Sequence, residues 1–247
     1  MPYTDPSDYA ELYDIVAPGK NSGEDIDFYV TEALKADGKV LEVACGTGRI
    51  YLEMLEQGVD AYGIDLSEEM LEKLEEKAEK RNLEPKVFEA DMRDFDLDEK
   101  FSLVIIPYRS FLHNLTIEDQ LSTLENIYRH LEDGGKLILN FYCPDLEFIS
   151  ENYEKELRRD IEGHEGMELV EYNELVDPVD WIIEFEKKIV EDGEEKWSAT
   201  GKTKMVTRPE FELLLRNSSF SEWTVYGSFD LEELENSQQE MVWFVER

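Results

Sequence analysis

The stretch "KVLEVACGTGRIYLEML", Lys39 to Leu55, constrains the fold more than any other part of the chain. It opens as an apolar strand, turns through Gly46 and Gly48, and runs on with apolar residues at helical spacing. A glycine turn between strand and helix lets backbone N–H groups approach a nucleotide-like ligand. The alternation then repeats. "VDAYGID" reads as a second strand, with Ser67 capping a helix that runs to about Arg81. "PKVFEAD" is a third strand, and "FSLVIIP" a fourth that is apolar enough to be buried on both faces. Thr116 and Asp119 open the helix of "TIEDQLSTLENIYRHLEDGG", expected to end at Gly134-Gly135, and "KLILNFY" is a fifth strand. Strands and helices at this spacing imply an α/β, Rossmann-like, doubly wound sheet with mostly parallel strands.

The flanks read differently. Residues 1–36 hold two helical stretches, "YAELYDIVAPGK" and "EDIDFYVTEALK", parted by Pro18 and Gly19. From Gly166 to Val206 the apolar pattern alternates, with breaks at Asp177-Pro178 and Asp192-Gly193, which predicts an inserted antiparallel β-meander. Thr207 and Glu210 form a capping box for a short helix, and "EWTVYGSF" and "EMVWFVER" are closing strands. The expected organisation is one domain over 1–247, with 1–36 as a helical lid and 146–209 as an insertion over the ligand site.

Charge narrows the partners. Sixty acidic residues against 25 basic ones give a formal charge of −35. Such a surface repels phosphate backbones and anionic lipid, so no nucleic-acid and no membrane partner is expected. The acid excess is spread from end to end, as in a protein adapted to high salt. No apolar run has membrane-spanning length, and the first residues lack a signal-peptide pattern, so a cytoplasmic location is expected. Two cysteines, Cys45 and Cys143, and three histidines make neither a disulfide framework nor a zinc ligand set, so no metal is expected.

The glycine turn discriminates among ligands. A dinucleotide fingerprint needs a third glycine where this chain has Tyr51, and a phosphate loop needs a lysine that is missing here. Glu42 at the strand end would repel a pyrophosphate but suits a ligand that bears an ammonium group. With Ala44, Gly46 and Gly48 it makes "EVACGTG", which resembles motif I of the class I, seven-stranded S-adenosylmethionine (SAM)-dependent methyltransferases; Ala44 stands where their first glycine does. Asp65 closes the second strand 19 residues after Gly46, where a carboxylate can accept both ribose hydroxyls. The run from Val40 to Asp145 is similar to the same family, and the two closing strands fit its sixth and its antiparallel seventh.

The resemblance implies SAM as cofactor and a small-molecule methyl acceptor. It places Asp91 at the adenine amino group and Met92 at the ring, and adds Leu66, Pro107 and Tyr13 to the cofactor pocket. His113, in the loop after the fourth strand, is the candidate general base, with Tyr108, Arg109 and Trp181 as candidate acceptor contacts. Tyr9 and Tyr13 share a helix face and are expected to close over the cofactor, and Trp181, Trp197, Tyr172 and Phe185 to form either an aromatic wall or the meander's own core. The reading is a methyltransferase acting on a nitrogen or oxygen nucleophile by in-line displacement. A non-catalytic SAM-binding module, an NAD(P)-dependent oxidoreductase and a nucleic-acid amino-methyltransferase are the alternatives, and both monomer and homodimer remain open.

Overall fold

A computed structural model describes residues 6–16 and 23–247. Pro18 and Gly19, the expected break between the first two helices, lie outside the described residues. Helices α1 (Pro6–Val16) and α2 (Glu24–Lys35) precede the alternating region. There follow β1 (Val40–Val43), α3 (Tyr51–Glu56), β2 (Ala61–Asp65), α4 (Glu68–Arg81), β3 (Val87–Glu89), β4 (Phe101–Ile106), α5 (Ile117–His130) and β5 (Leu131–Tyr142). Then come α6 (Leu146–Asn152), β6 (Leu157–Asp160), β7 (Met167–Asp177), β8 (Ile182–Glu191), β9 (Glu194–Lys204), α7 (Arg208–Asn217), β10 (Glu222–Tyr226) and β11 (Glu240–Glu246).

The main sheet has seven strands in the order β10-β11-β5-β4-β1-β2-β3. Its core pairs run parallel, and β11 is antiparallel to both β5 and β10. β1 is buried along its whole length and β4 at all but one position, as their apolar runs predict for strands covered on both faces. One core lies between the sheet and α5 and α7, the other between the sheet and α2, α3 and α4. The caps predicted from sequence are present. Ser67 accepts from the Met70 N–H, Thr116 from the Asp119 N–H, and Thr207 from the Glu210 N–H.

Two local expectations are corrected. α5 ends at His130, not at Gly134-Gly135, because Leu131 turns extended, buries itself and pairs with Phe101. The glycines instead sit in an irregularity of β5, where a Cβ on Gly135 would meet the carbonyl oxygens of Glu132 and Phe101 at 3.0 Å. The meander is also longer than its sequence pattern. It is a separate sheet of four antiparallel strands, β6-β7-β8-β9, preceded by α6. The edge strand β6 has one half-buried residue and three exposed ones, so it carries no alternation to read.

A third core joins the two sheets. Tyr9, Ala10, Leu12 and Val16 of α1 pack with Met70 of α4, with Ile161 just past β6, and with Leu169, Ile189 and Ala199 of the second sheet. Polar contacts fix the same helix. Lys73 pairs with Glu11 at 2.5 Å, Lys77 with Asp14 at 2.6 Å, and the Thr47 hydroxyl donates to Asp14 at 2.5 Å. α1 is thereby held across the carboxyl ends of the parallel strands.

Candidate functional site

A cavity of about 510 Å³ opens at those carboxyl ends, between the main sheet, α1 and the second sheet. Its size suits one nucleoside-like ligand with a small partner. Strand ends supply its floor because parallel strands stop together there and the chain turns away.

The turn after β1 is shaped by three left-handed residues, Ala44 at φ 58°, Gly46 at φ 54° and Gly48 at φ 86°. Alanine tolerates this region at a cost of about 1–2 kcal/mol, so a small side chain replaces the family's first glycine without filling the cavity. Gly46 has open space where a Cβ would point. Gly48 differs, since a Cβ there would meet Leu74 at 2.8 Å and Leu52 at 2.9 Å. It is a packing glycine and does not line the cavity.

Three acids mark the ends of consecutive strands. Asp65 accepts from the Gly46 N–H at 2.8 Å and the Ser67 N–H at 2.9 Å, which leaves further lone pairs on each oxygen. Burial pushes its carboxyl up despite these bonds. Glu42 is buried, and its Oε2 has no hydrogen-bond partner among the described residues. Burial raises its carboxyl well above the usual range, opposed by Arg49 and reinforced by Asp65 and Asp25. Asp91 is held by Arg93 through the backbone N–H and Nε, both at 2.9 Å, and that guanidinium lowers its carboxyl; Arg93 bridges on to Asp119 at 3.0 Å.

Arg49 is the cavity residue that sequence reasoning missed. Its guanidinium takes both oxygens of buried Asp25, at 3.0 and 2.5 Å, and lies 5.0 Å from the centre of the Tyr108 ring. Its Nε is buried without a partner among the described residues. The available signal was its place as the first charge after the glycine turn, in a chain with few cations.

On the other wall, the Tyr13 ring meets Tyr108 edge-on at 5.7 Å, and Tyr9 lies 6.1 Å from Tyr13. His113 donates from Nδ1 to the Lys202 carbonyl at 3.1 Å, which places its lone pair on Nε2. Desolvation lowers this imidazole to about 4, so it is neutral at pH 7. Glu184, Thr200, Gly201 and Lys202 of β8 and β9 complete this side.

Of the residues singled out from sequence, Tyr13, Glu42, Ala44, Gly46, Asp65, Leu66, Asp91, Met92, Pro107, Tyr108 and His113 line the cavity. Arg109 does not, because its guanidinium turns to Glu240 at 2.7 Å and covers Tyr142. Trp181 lies outside it too, 39% exposed in the β7–β8 turn. Among the described residues Phe185 packs toward His113, while Trp197 joins the α1 core. Cys45 turns its thiol into the sheet against Gly63, where burial raises it.

Residues 40–135 match a family model described as a methyltransferase domain. The match takes in β1 through the start of β5 and so the glycine turn and the three strand-end acids. Curated relatives of the chain include a cypemycin N-terminal methyltransferase of Streptomyces sp, 32% identical over 58% of this chain and 58% of that protein. A dTDP-3-amino-3,4,6-trideoxy-alpha-D-glucopyranose N,N-dimethyltransferase of Streptomyces venezuelae is 31% identical over 53% of the chain and 56% of its own length. A glycine/sarcosine N-methyltransferase of Aphanothece halophytica is 34% identical over 55% and 51%. The match thus spans little more than half the length of these relatives. Solved structures extend the likeness across the whole fold. An S-adenosylmethionine-dependent methyltransferase from Clostridium acetobutylicum superposes with a TM-score of 0.81 over 96% of this chain and 97% of its own, at 18% identity. The CcbJ methyltransferase from Streptomyces caelestis gives 0.79 over 98% of both chains, at 20% identity. The likeness is of fold, and the sheet is the seven-stranded one that the sequence pattern implied, with β11 as its antiparallel strand.

Proposed function

We propose that this chain is a SAM-dependent methyltransferase that acts on a nitrogen or oxygen of a small molecule, with a nitrogen acceptor favoured. The observation that carries this reading is the buried, unpartnered Oε2 of Glu42 in a cavity shared with Asp65, Asp91 and Arg49. A buried carboxylate oxygen without a donor is costly, and the ammonium of an amino-acid group would supply one. The unpartnered Nε of Arg49 complements it by offering a donor to a carboxylate.

The residues present fit SAM. Asp65 would take the ribose hydroxyls and Asp91 the adenine amino group, with Leu66, Met92 and Pro107 against the ring. Glu42, Arg49, Ala44 and Gly46 would hold the amino-acid end, and Tyr13 and Tyr108 would close the wall. SAM supplies an electrophilic methyl group on a sulfonium, which an acceptor lone pair attacks in line. What remains for the chain is alignment and exclusion of water. α1, docked by its own core on the second sheet, roofs the cavity, and that sheet as an insertion in one domain supplies the acceptor side.

His113 favours nitrogen. An imidazole that titrates near 4 is a weak base for a hydroxyl, yet as a neutral acceptor it can orient an amine N–H. Two of the relatives named above are an N,N-dimethyltransferase and an N-methyltransferase by name, which supports the same preference.

The oxidoreductase reading is disfavoured by Tyr51. It is fully buried, donates to the Ala61 carbonyl at 3.0 Å and accepts from the Lys86 N–H at 2.8 Å, so it fills the space a third glycine would leave. Calorimetry with SAM and with NADH tests the proposal; SAM binding alone is expected. Binding of NADH in place of SAM would overturn it. A labelled-methyl assay over amines and phenols then separates nitrogen from oxygen transfer.

A further inference from the structure

β5 carries one polar side chain within its buried run Leu137–Phe141, and that residue is Asn140. It lies just past the last β4–β5 pair, Ile106 with Leu139, where β4 gives way to Pro107 and the ladder stops. The next backbone donor is the Tyr108 N–H, and it donates to Asn140 Oδ1 at 3.0 Å. The same oxygen accepts from the Tyr29 hydroxyl of α2 at 2.7 Å, and Asn140 Nδ2 donates to Glu240 Oε1 of β11 at 2.7 Å. Burial keeps the Tyr29 phenol protonated and so a donor, which fixes the orientation of the amide.

The loop held there needs an anchor. Tyr108 and Arg109 are consecutive left-handed residues at φ 56° and φ 67°, and neither is glycine. Such a pair persists only where surrounding contacts determine it. Beyond Asn140, the loop is tied by the Arg109–Glu240 pair and by the Ser110 N–H to the Pro107 carbonyl. The Tyr108 ring then stands between Arg49 at 5.0 Å and Tyr13 at 5.7 Å, both on the cavity. Asn140 itself does not line the cavity.

We propose that Asn140 is a positioning residue for the ligand site: it clamps the Tyr108 backbone and so sets the wall against which Arg49 and α1 are arranged. Glu240 and Tyr29 complete the clamp, which ties β11 and α2 to a loop far from both in sequence. The proposal goes beyond the assignment of ligand contacts. Its ligand-binding arm rests on the SAM reading, and its backbone arm does not.

The test compares Asn140→Leu with the double variant Asn140→Asp/Glu240→Gln in the full chain. Amide hydrogen exchange at Tyr108 in ligand-free protein is read relative to Leu103 and Val104 of β4, which removes any global loss of stability. Asn140→Leu is expected to speed relative exchange at Tyr108 and weaken SAM binding by calorimetry, each by roughly tenfold. The double variant keeps an acceptor at 140 and moves the amide donor to 240, and is expected to restore both. If the leucine variant fails to fold, the double variant, which retains the acceptor at 140 and a donor opposite it, is expected to keep Tyr108 protected. Unchanged relative exchange in Asn140→Leu, or fast exchange in the double variant, overturns the clamp. Faster exchange with undiminished SAM affinity overturns its role in the site. A wild-type protein that does not bind SAM defeats the functional reading, while the exchange comparison still decides the clamp.

Discussion

The Gly46 N–H donates to Asp65 Oδ2 at 2.8 Å and so ties the turn after β1 to the end of β2. One carboxylate thus anchors the turn and faces the cavity. Asp65→Ala is expected to abolish SAM binding while the folded chain survives, because the turn loses its acceptor and the ligand its ribose contact. Gly46→Val should do the same, since valine at φ 54° is strained and its side chain enters space the ligand needs. Normal affinity in either variant, measured by calorimetry, would refute the placement.

Gly48 makes the contrasting case. A methyl group there meets Leu74 and Leu52 below 3.0 Å at φ 86°. Gly48→Ala is expected to cost about 1–3 kcal/mol of stability in urea unfolding. SAM affinity of the folded fraction should hardly change.

Glu42→Gln separates binding from stability. Glu42 holds its proton more tightly folded than unfolded, so it costs stability as pH rises through its folded value. The glutamine variant should therefore be at least as stable as wild type at pH 7. It should bind SAM more weakly yet bind methylthioadenosine, which has no ammonium group, as wild type does. Equal loss of both ligands would remove Glu42 from the amino-acid end.

His113 gives a pH dependence of known sign. Its folded value of about 4 lies below the ordinary 6.5, so the unfolded chain takes up a proton first as pH falls. Its stabilising contribution is complete above 6.5 and is lost on descent to about 4. Wild type is expected to lose stability relative to His113→Gln across that window, in paired urea titrations. A constant difference would show that the imidazole is not desolvated.

The charge of −35 predicts a response to salt. Most ion pairs among the described residues have at least one exposed partner and are individually weak, so the acid surplus dominates. Molar potassium chloride should raise the melting temperature by screening that surplus. A flat or falling melting curve would exclude salt adaptation.

The alternating strands, the helix caps and the three strand-end acids were legible because each is a local pattern. Burial on both faces makes a strand apolar throughout, and a cap needs only a hydroxyl three residues before its donor. Gly135 misled for the same local reason. A glycine pair after a helical run reads as a helix end, while close approach of the Phe101 carbonyl actually demands it. β6 and α6 left no trace, because neither buries a continuous face.

The sequence by itself determined the fold class, the succession of the main-sheet strands along the chain and the residue types that surround a nucleoside-like ligand, since these follow from periodicity and from turns a few residues long. Only the tertiary structure decided which charges meet. Arg49 found Asp25 across 24 residues and Arg109 was drawn off to Glu240 across 131, while Asn140 came to hold Tyr108 from 32 residues away. Cations are scarce and acids abundant in this chain, so pattern alone offers each arginine many partners. Proximity in the packed core selects one.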